Sequence, residues 1–79
     1  MTDLYPAADQ RELLRQAAAA HSAAVRDVEA FLRRLPEVPA AADITEYATL
    51  LAREEQTRGE RQATADAAGL QLPSVGTEQ

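Results

Sequence analysis

His21 is the only histidine in the chain. Imidazole is the side chain best suited to bind a metal or move a proton near neutral pH. Glu54 and Glu55 are the acids that a folded-back chain would bring towards it. Bundle metal sites pair an inward glutamate with a Glu-x-x-His element. Here the residue three before His21 is Ala18, and those three after Glu54 and Glu55 are Thr57 and Arg58. The metal motif is absent, and no metal ligand set is expected. Nucleophilic catalysis lacks its parts as well. The chain has no Cys and no Lys, and Ser22 and Ser74 have no convergent base. The glycines do not form a phosphate-binding loop. No catalytic residue and no cofactor is expected. Glu54, Glu55 and Arg58 instead read as a polar layer, with Glu54 and Arg58 at the i,i+4 spacing that favours an ion pair along a helix.

Two helices must position these residues. Alanine dominates a hydrophobic fraction of 46%, there is no Trp, and one Phe and two Tyr are the only aromatic residues. Alanine favours helix, and the β-branched and aromatic types that mark strands are sparse. The expected class is all-α: an antiparallel two-helix hairpin over 9–69, with an N-terminal arm at 1–8 and a tail at 70–79. Asp9 and Glu12 are spaced as a capping box, with Pro6 as an alternative first-turn residue. Helix 1 therefore runs from about 9 to 35, where Pro36 stops it. A turn at 36–42 follows. Asp43 and Glu46 repeat the capping spacing, which places helix 2 at about 43–68, and Gly69 ends it.

The apolar residues of helix 1 recur in steps of four and three: Leu14, Ala18, His21, Val25, Val28, Leu32 and Leu35. That is a heptad seam, with Ala17, Ala24 and Phe31 widening it on one flank. Helix 2 answers with Ile44, Tyr47 and Leu51. Its apolar signal then lapses from Arg53 to Gln62 before a weak alanine stripe resumes. Folding the turn predicts a solid apolar end near the loop, a polar waist, and a weaker apolar end. In this register His21 comes level with Gln56 to Arg58.

Seventy-nine residues with no cysteine hold a small core and no disulfide. Oligomerisation is the simplest remaining staple. The predicted interface comprises Leu14, Ala18, His21, Val25, Val28, Leu32, Leu35, Ile44 and Leu51. It would be covered by a second copy, completing a four-helix bundle, or by a larger protein. A net charge of -5 makes nucleic acid a poor partner, since phosphates attract cations. No segment reads as a secretion signal or a membrane span, so a cytoplasmic protein is expected. All eight basic residues are arginine, which with the alanine content points to a GC-rich bacterial genome. Tyr5 and Asp9 form Y-x-x-x-D, similar to an element of the helical-hairpin substrates of type VII secretion. There it follows the second helix and accompanies W-x-G at the turn. Here it precedes the first helix, and the turn is Pro36-Glu37-Val38-Pro39.

The expected function is a small non-enzymatic interaction or assembly module acting through the apolar face of the hairpin. One alternative is a small-molecule- or metal-binding bundle using a polar layer of His21, Tyr47 and Glu54. Another is an accessory subunit that completes a partner enzyme.

Overall fold

The computed structural model describes residues 7–70. Among them are two α-helices of equal length, α1 (Ala7–Arg33) and α2 (Ala41–Ala67), and no strand. Contacts between the helices pair low numbers in α1 with high numbers in α2, from Arg34–Glu46 at the loop to Asp27–Arg53 and His21–Arg61 beyond it. The helices are therefore antiparallel neighbours, as a short connection dictates.

The helix ends show how local chemistry sets the boundaries. α1 begins at Ala7 rather than Asp9, so Asp9 lies inside the first turn. There its charge suits the positive end of the helix dipole. α2 begins at Ala41 rather than Asp43. Asp43 is thus the third helical residue, and its carboxylate accepts a hydrogen bond from the Ala40 N–H at 2.9 Å. Alanine has no side-chain acceptor, so only this half of a capping box forms. Glu46, the other predicted box member, reaches across the hairpin to Arg34 at 2.7 Å.

α1 closes on tightened i→i+3 bonds from the N–H groups of Arg34 and Leu35 to the carbonyls of Phe31 and Leu32. Pro36 then removes the next donor. At the far end of α2, the Gly69 N–H donates to Asp66 O at 3.0 Å and the Leu70 N–H to Ala65 O at 2.8 Å. These two bonds are the Schellman pattern. It needs a left-handed residue between them, and Gly69 supplies it at φ 83°. The N-terminal arm through Pro6, including Leu4 and Tyr5, and the tail from Gln71, including Leu72 and Val75, lie outside the described residues.

The seam between the helices differs in phase from the heptad of largest apolar residues. Ala24 and Phe31 are the buried apolar side chains among the described residues, each 1% exposed. The residues taken as a flank, Ala17, Ala24 and Phe31, therefore form the centre of the stripe facing α2. Leu32 and Leu35, assigned to the seam from spacing, are 47% and 37% exposed. The physical reason is backbone approach. Alanines at 17 and 24 let α2 lie close, whereas leucine and valine on the same line would hold it off. Phe31 fills the remaining space near the loop. Its ring stacks on Tyr47 with centroids 5.7 Å apart, and the Arg34 guanidinium covers it at 5.1 Å. Arg34 is itself anchored by Glu46, which raises its pKa by hydrogen bonding.

The two broad faces of this slab are unlike. On one, Asp27 of α1 and Arg34 just past its end lie seven residues apart, and Glu46 and Arg53 lie seven apart on α2. They form the cross-helix pairs Arg34–Glu46 and Arg53–Asp27, the latter at 3.2 Å. On the other face, Ala18, Val25 and Leu32 form one heptad ladder, and Ile44, Leu51, Arg58 and Ala65 form the second. The two open grooves of the hairpin are lined from these ladders. One face is strapped by charge, and the other is open and mostly apolar.

Phe31 should dominate the stability of the hairpin. Phe31→Ala is expected to cost about 3–5 kcal/mol, the range for truncating a buried aromatic, measured by urea unfolding. A cost below about 1 kcal/mol would mean the ring is not the centre of the packed end.

Candidate functional site

The polar residues of α2 converge on His21 at the middle of the open face. His21 is carried by α1 on the edge of the seam, while Glu54, Arg58 and Arg61 rise from successive turns of α2. His21 Nε2 lies 2.9 Å from Glu54 Oε2, and both side chains are 13% exposed. Arg58 grips the same carboxylate in bidentate fashion: its Nη2 lies 2.9 Å from each oxygen, and Nε donates to Oε2 at 3.2 Å. On the far side of the imidazole, Arg61 Nη1 lies 3.2 Å from Nδ1.

In the neutral imidazole the arrangement sets the tautomer. A guanidinium only donates, so Nδ1 facing Arg61 must accept. Nε2 then carries the hydrogen and donates it to Glu54. The chain of donors runs Arg61 to His21 to Glu54, with Arg58 closing the other side of the carboxylate. Glu54 is held below its ordinary pKa of 4.5, first by the His21 hydrogen bond and then by those of Arg58, against the opposing effect of burial. Thr57, one turn on and 9% exposed, satisfies its hydroxyl on its own helix by donating to Arg53 O at 2.9 Å. The layer is internally paired.

The other predicted site residues are distributed as follows. Glu55, placed in the polar layer from sequence, is exposed and forms no ion pair among the described residues. Tyr47, grouped with His21 and Glu54 in the ligand-binding alternative, stands at the loop end against Phe31 instead. Of the predicted interface residues, Leu14, Ala18, Val25, Val28 and Leu51 are half-buried along the hairpin, and Leu32, Leu35 and Ile44 are exposed. Arg61, which with Glu54, Glu55 and Arg58 interrupts the apolar stripe of helix 2 in the sequence, joins the layer through His21. Its spacing to Glu54, seven residues on the same helix, was the available signal. No group of three or more His, Cys, Asp or Glu side chains is placed to hold a metal among the described residues. No described helix is long and apolar enough to cross a membrane.

Two grooves flank the polar layer. Towards the open end of the hairpin, a hollow of about 510 Å³ is floored by Leu14, Ala18, Ala65 and Leu70, with Arg58 and Arg61 at its inner edge. Towards the loop, a shallower groove of about 210 Å³ runs among Leu32, Leu35, Ile44 and Tyr47. Chemically the face offers apolar contact at both ends and cations between them. No protein-family model matches the chain, and no curated protein or solved structure matches it.

The Glu54 pairing carries a pH signature. Its folded-state pKa lies below the ordinary value, so its stabilising effect is present above the ordinary glutamate range. That effect is lost as pH falls through the lowered value. Glu54→Gln should therefore lower the melting temperature at neutral pH and lose that disadvantage in acid below the glutamate range. Melting curves of both proteins from pH 7 to pH 2.5 test this. An unchanged gap across the range would show that the carboxylate charge is not what the layer uses.

Proposed function

We propose that the protein is a small non-enzymatic interaction or assembly module that works through the open face of its hairpin. The supporting observation is the imbalance of burial. Among the described residues the hairpin encloses Ala24 and Phe31, while Leu32, Leu35, Ile44 and Tyr47 stay 36% or more exposed on the face that carries both grooves. Large apolar side chains gathered on one face mark a surface made to be covered. A two-helix slab that buries so little recovers only a small part of the entropy lost on ordering the chain. Covering that face supplies the rest.

A second copy is the simplest occupant. It would complete a four-helix bundle with the strapped faces outward, where their ion pairs meet water. A groove on a larger protein is the other route to the same burial. Ligand binding at the polar layer has less support, because Arg58 and Arg61 already take up the hydrogen-bonding capacity of Glu54 and His21. Completion of a partner enzyme would use the same open face and is a special case of docking.

Multi-angle light scattering at micromolar concentration should return the mass of a dimer, with unfolding midpoints that rise with protein concentration. A cooperatively folded monomer whose stability ignores concentration would sink the second-copy reading. Leu32 gives a residue-level check. In a lone hairpin its side chain is half exposed, and Leu32→Ala should cost no more than about 1 kcal/mol. Covered by a partner it becomes a core leucine, and the cost should rise to about 2–5 kcal/mol.

A further inference from the structure

The two ends of the open face differ in the size of what they present. At the loop end stand large side chains, Leu32, Leu35, Ile44 and Tyr47, with Ile44 64% exposed. At the open end the ladders carry Ala18 and Ala65 instead, and a hollow of about 510 Å³ results, against about 210 Å³ at the loop end. One face thus holds both a ridge and a hollow. Ile44 and Ala65 sit on the same ladder of α2, three heptads apart.

We infer that two copies pair face to face with their hairpins antiparallel, the Ile44 ridge of each seated in the Leu14–Ala18–Ala65 hollow of the other. This rests on the docking reading above and specifies its partner and its direction. A two-fold contact is isologous: whatever residue i does to residue j, j does to i. Antiparallel pairing sets large side chains on small ones at both ends, the interdigitation a well-packed core requires. The parallel alternative lays α1 of one copy on α2 of the other, setting Leu32 and Leu35 against Ile44 and Tyr47 at the loop end and Ala18 against Ala65 at the other, which leaves one end overfilled and the other void.

The axis midway between Ile44 and Ala65 passes at the level of the Glu54–Arg58 turn. Glu55 has no ion-pair partner within the described hairpin, and Arg58 is 61% exposed. The axis passes beside Glu55, so the exposed Glu55 side chains of the two copies lie next to each other across it, with Arg58 of each about one helical turn away. The size of the face is sufficient. Leu14 to Leu35 spans about 30 Å of helix, and two helices side by side measure about 20 Å across. The projected area, on the order of 600 Å², is close to the roughly 800 Å² per partner that specific interfaces bury.

The chain has no cysteine, so introduced thiols report on this arrangement alone. Ile44→Cys and Ala65→Cys proteins are mixed in equal amounts and mildly oxidised, and the products are weighed by mass spectrometry. Antiparallel seating brings these positions within disulfide reach. The mixed product should then rise well above the half that random pairing gives. Glu55→Cys alone, beside the axis, should link to itself. Thr49→Cys, on the strapped face, supplies the background rate. Preferential self-linking of Ile44→Cys would put the loop ends together and overturn the antiparallel arrangement, while leaving the docking face in place. Linking at the Thr49→Cys background rate in every case, from chains that light scattering shows to be dimers, would move the contact to another surface and overturn both. Chains that remain monomeric would remove the second copy as the occupant.

Discussion

The close approach of α1 and α2 along an alanine-lined seam is the constraint from which the other features follow. Ala17 and Ala24 bring little area to the core, yet their lack of bulk lets the two backbones lie near enough for Phe31 to be enclosed and for His21 to reach Glu54. The same economy limits what the seam can bury. The larger residues of both helices, Leu32, Ile44 and Leu51 among them, are turned towards the open face. The tight seam and the apolar face are therefore one choice seen from two sides.

Much of this was legible in the residues. Helix content, the hairpin, the stop at Pro36 and the Gly69 terminus all rest on local chemistry, and local chemistry is written in consecutive positions. The polar waist was legible too, because a ten-residue lapse in apolar residues must go somewhere on the hairpin. The phase of the seam was not. The heptads 14-18-21-25-28-32-35 and 14-17-21-24-28-31-35 share Leu14, His21, Val28 and Leu35 and differ only in their alternate members. Counting apolar volume favours the first, since its alternate members include both Val25 and Leu32 where the second has Ala24 and Phe31. Which set faces α2 depends on how near the backbones come, and that is a property of the pair of helices. The starts of the helices were displaced for a related reason. A D-x-x-E spacing says that a cap is affordable there, but Asp43 serves equally well as the third residue of a helix begun at Ala41.

The polar layer shows how an apolar face can tolerate charge at its centre. An isolated carboxylate at 13% exposure would be costly. Glu54 avoids that cost through a bidentate arginine on one side and an imidazole N–H on the other. Arg61 then orients the ring from behind and sets the tautomer of the neutral histidine. A layer satisfied from within contributes less attraction to a partner than an apolar one of equal area. It compensates in selectivity, since a helix laid across it out of register would set apolar groups against paired charges.

The strapped face has a consequence for stoichiometry. A thin slab that was apolar on both sides could stack copy upon copy and grow into a filament, because each added unit would expose the surface that captures the next. Arg34–Glu46 and Arg53–Asp27 place fixed, hydrated charges on one side. Burying them against another copy would cost more in desolvation than the contact returns. Under the proposed pairing, growth through the open face would stop after a single contact, and the ion pairs, too exposed to add much stability, would act as the terminator that keeps such an assembly finite.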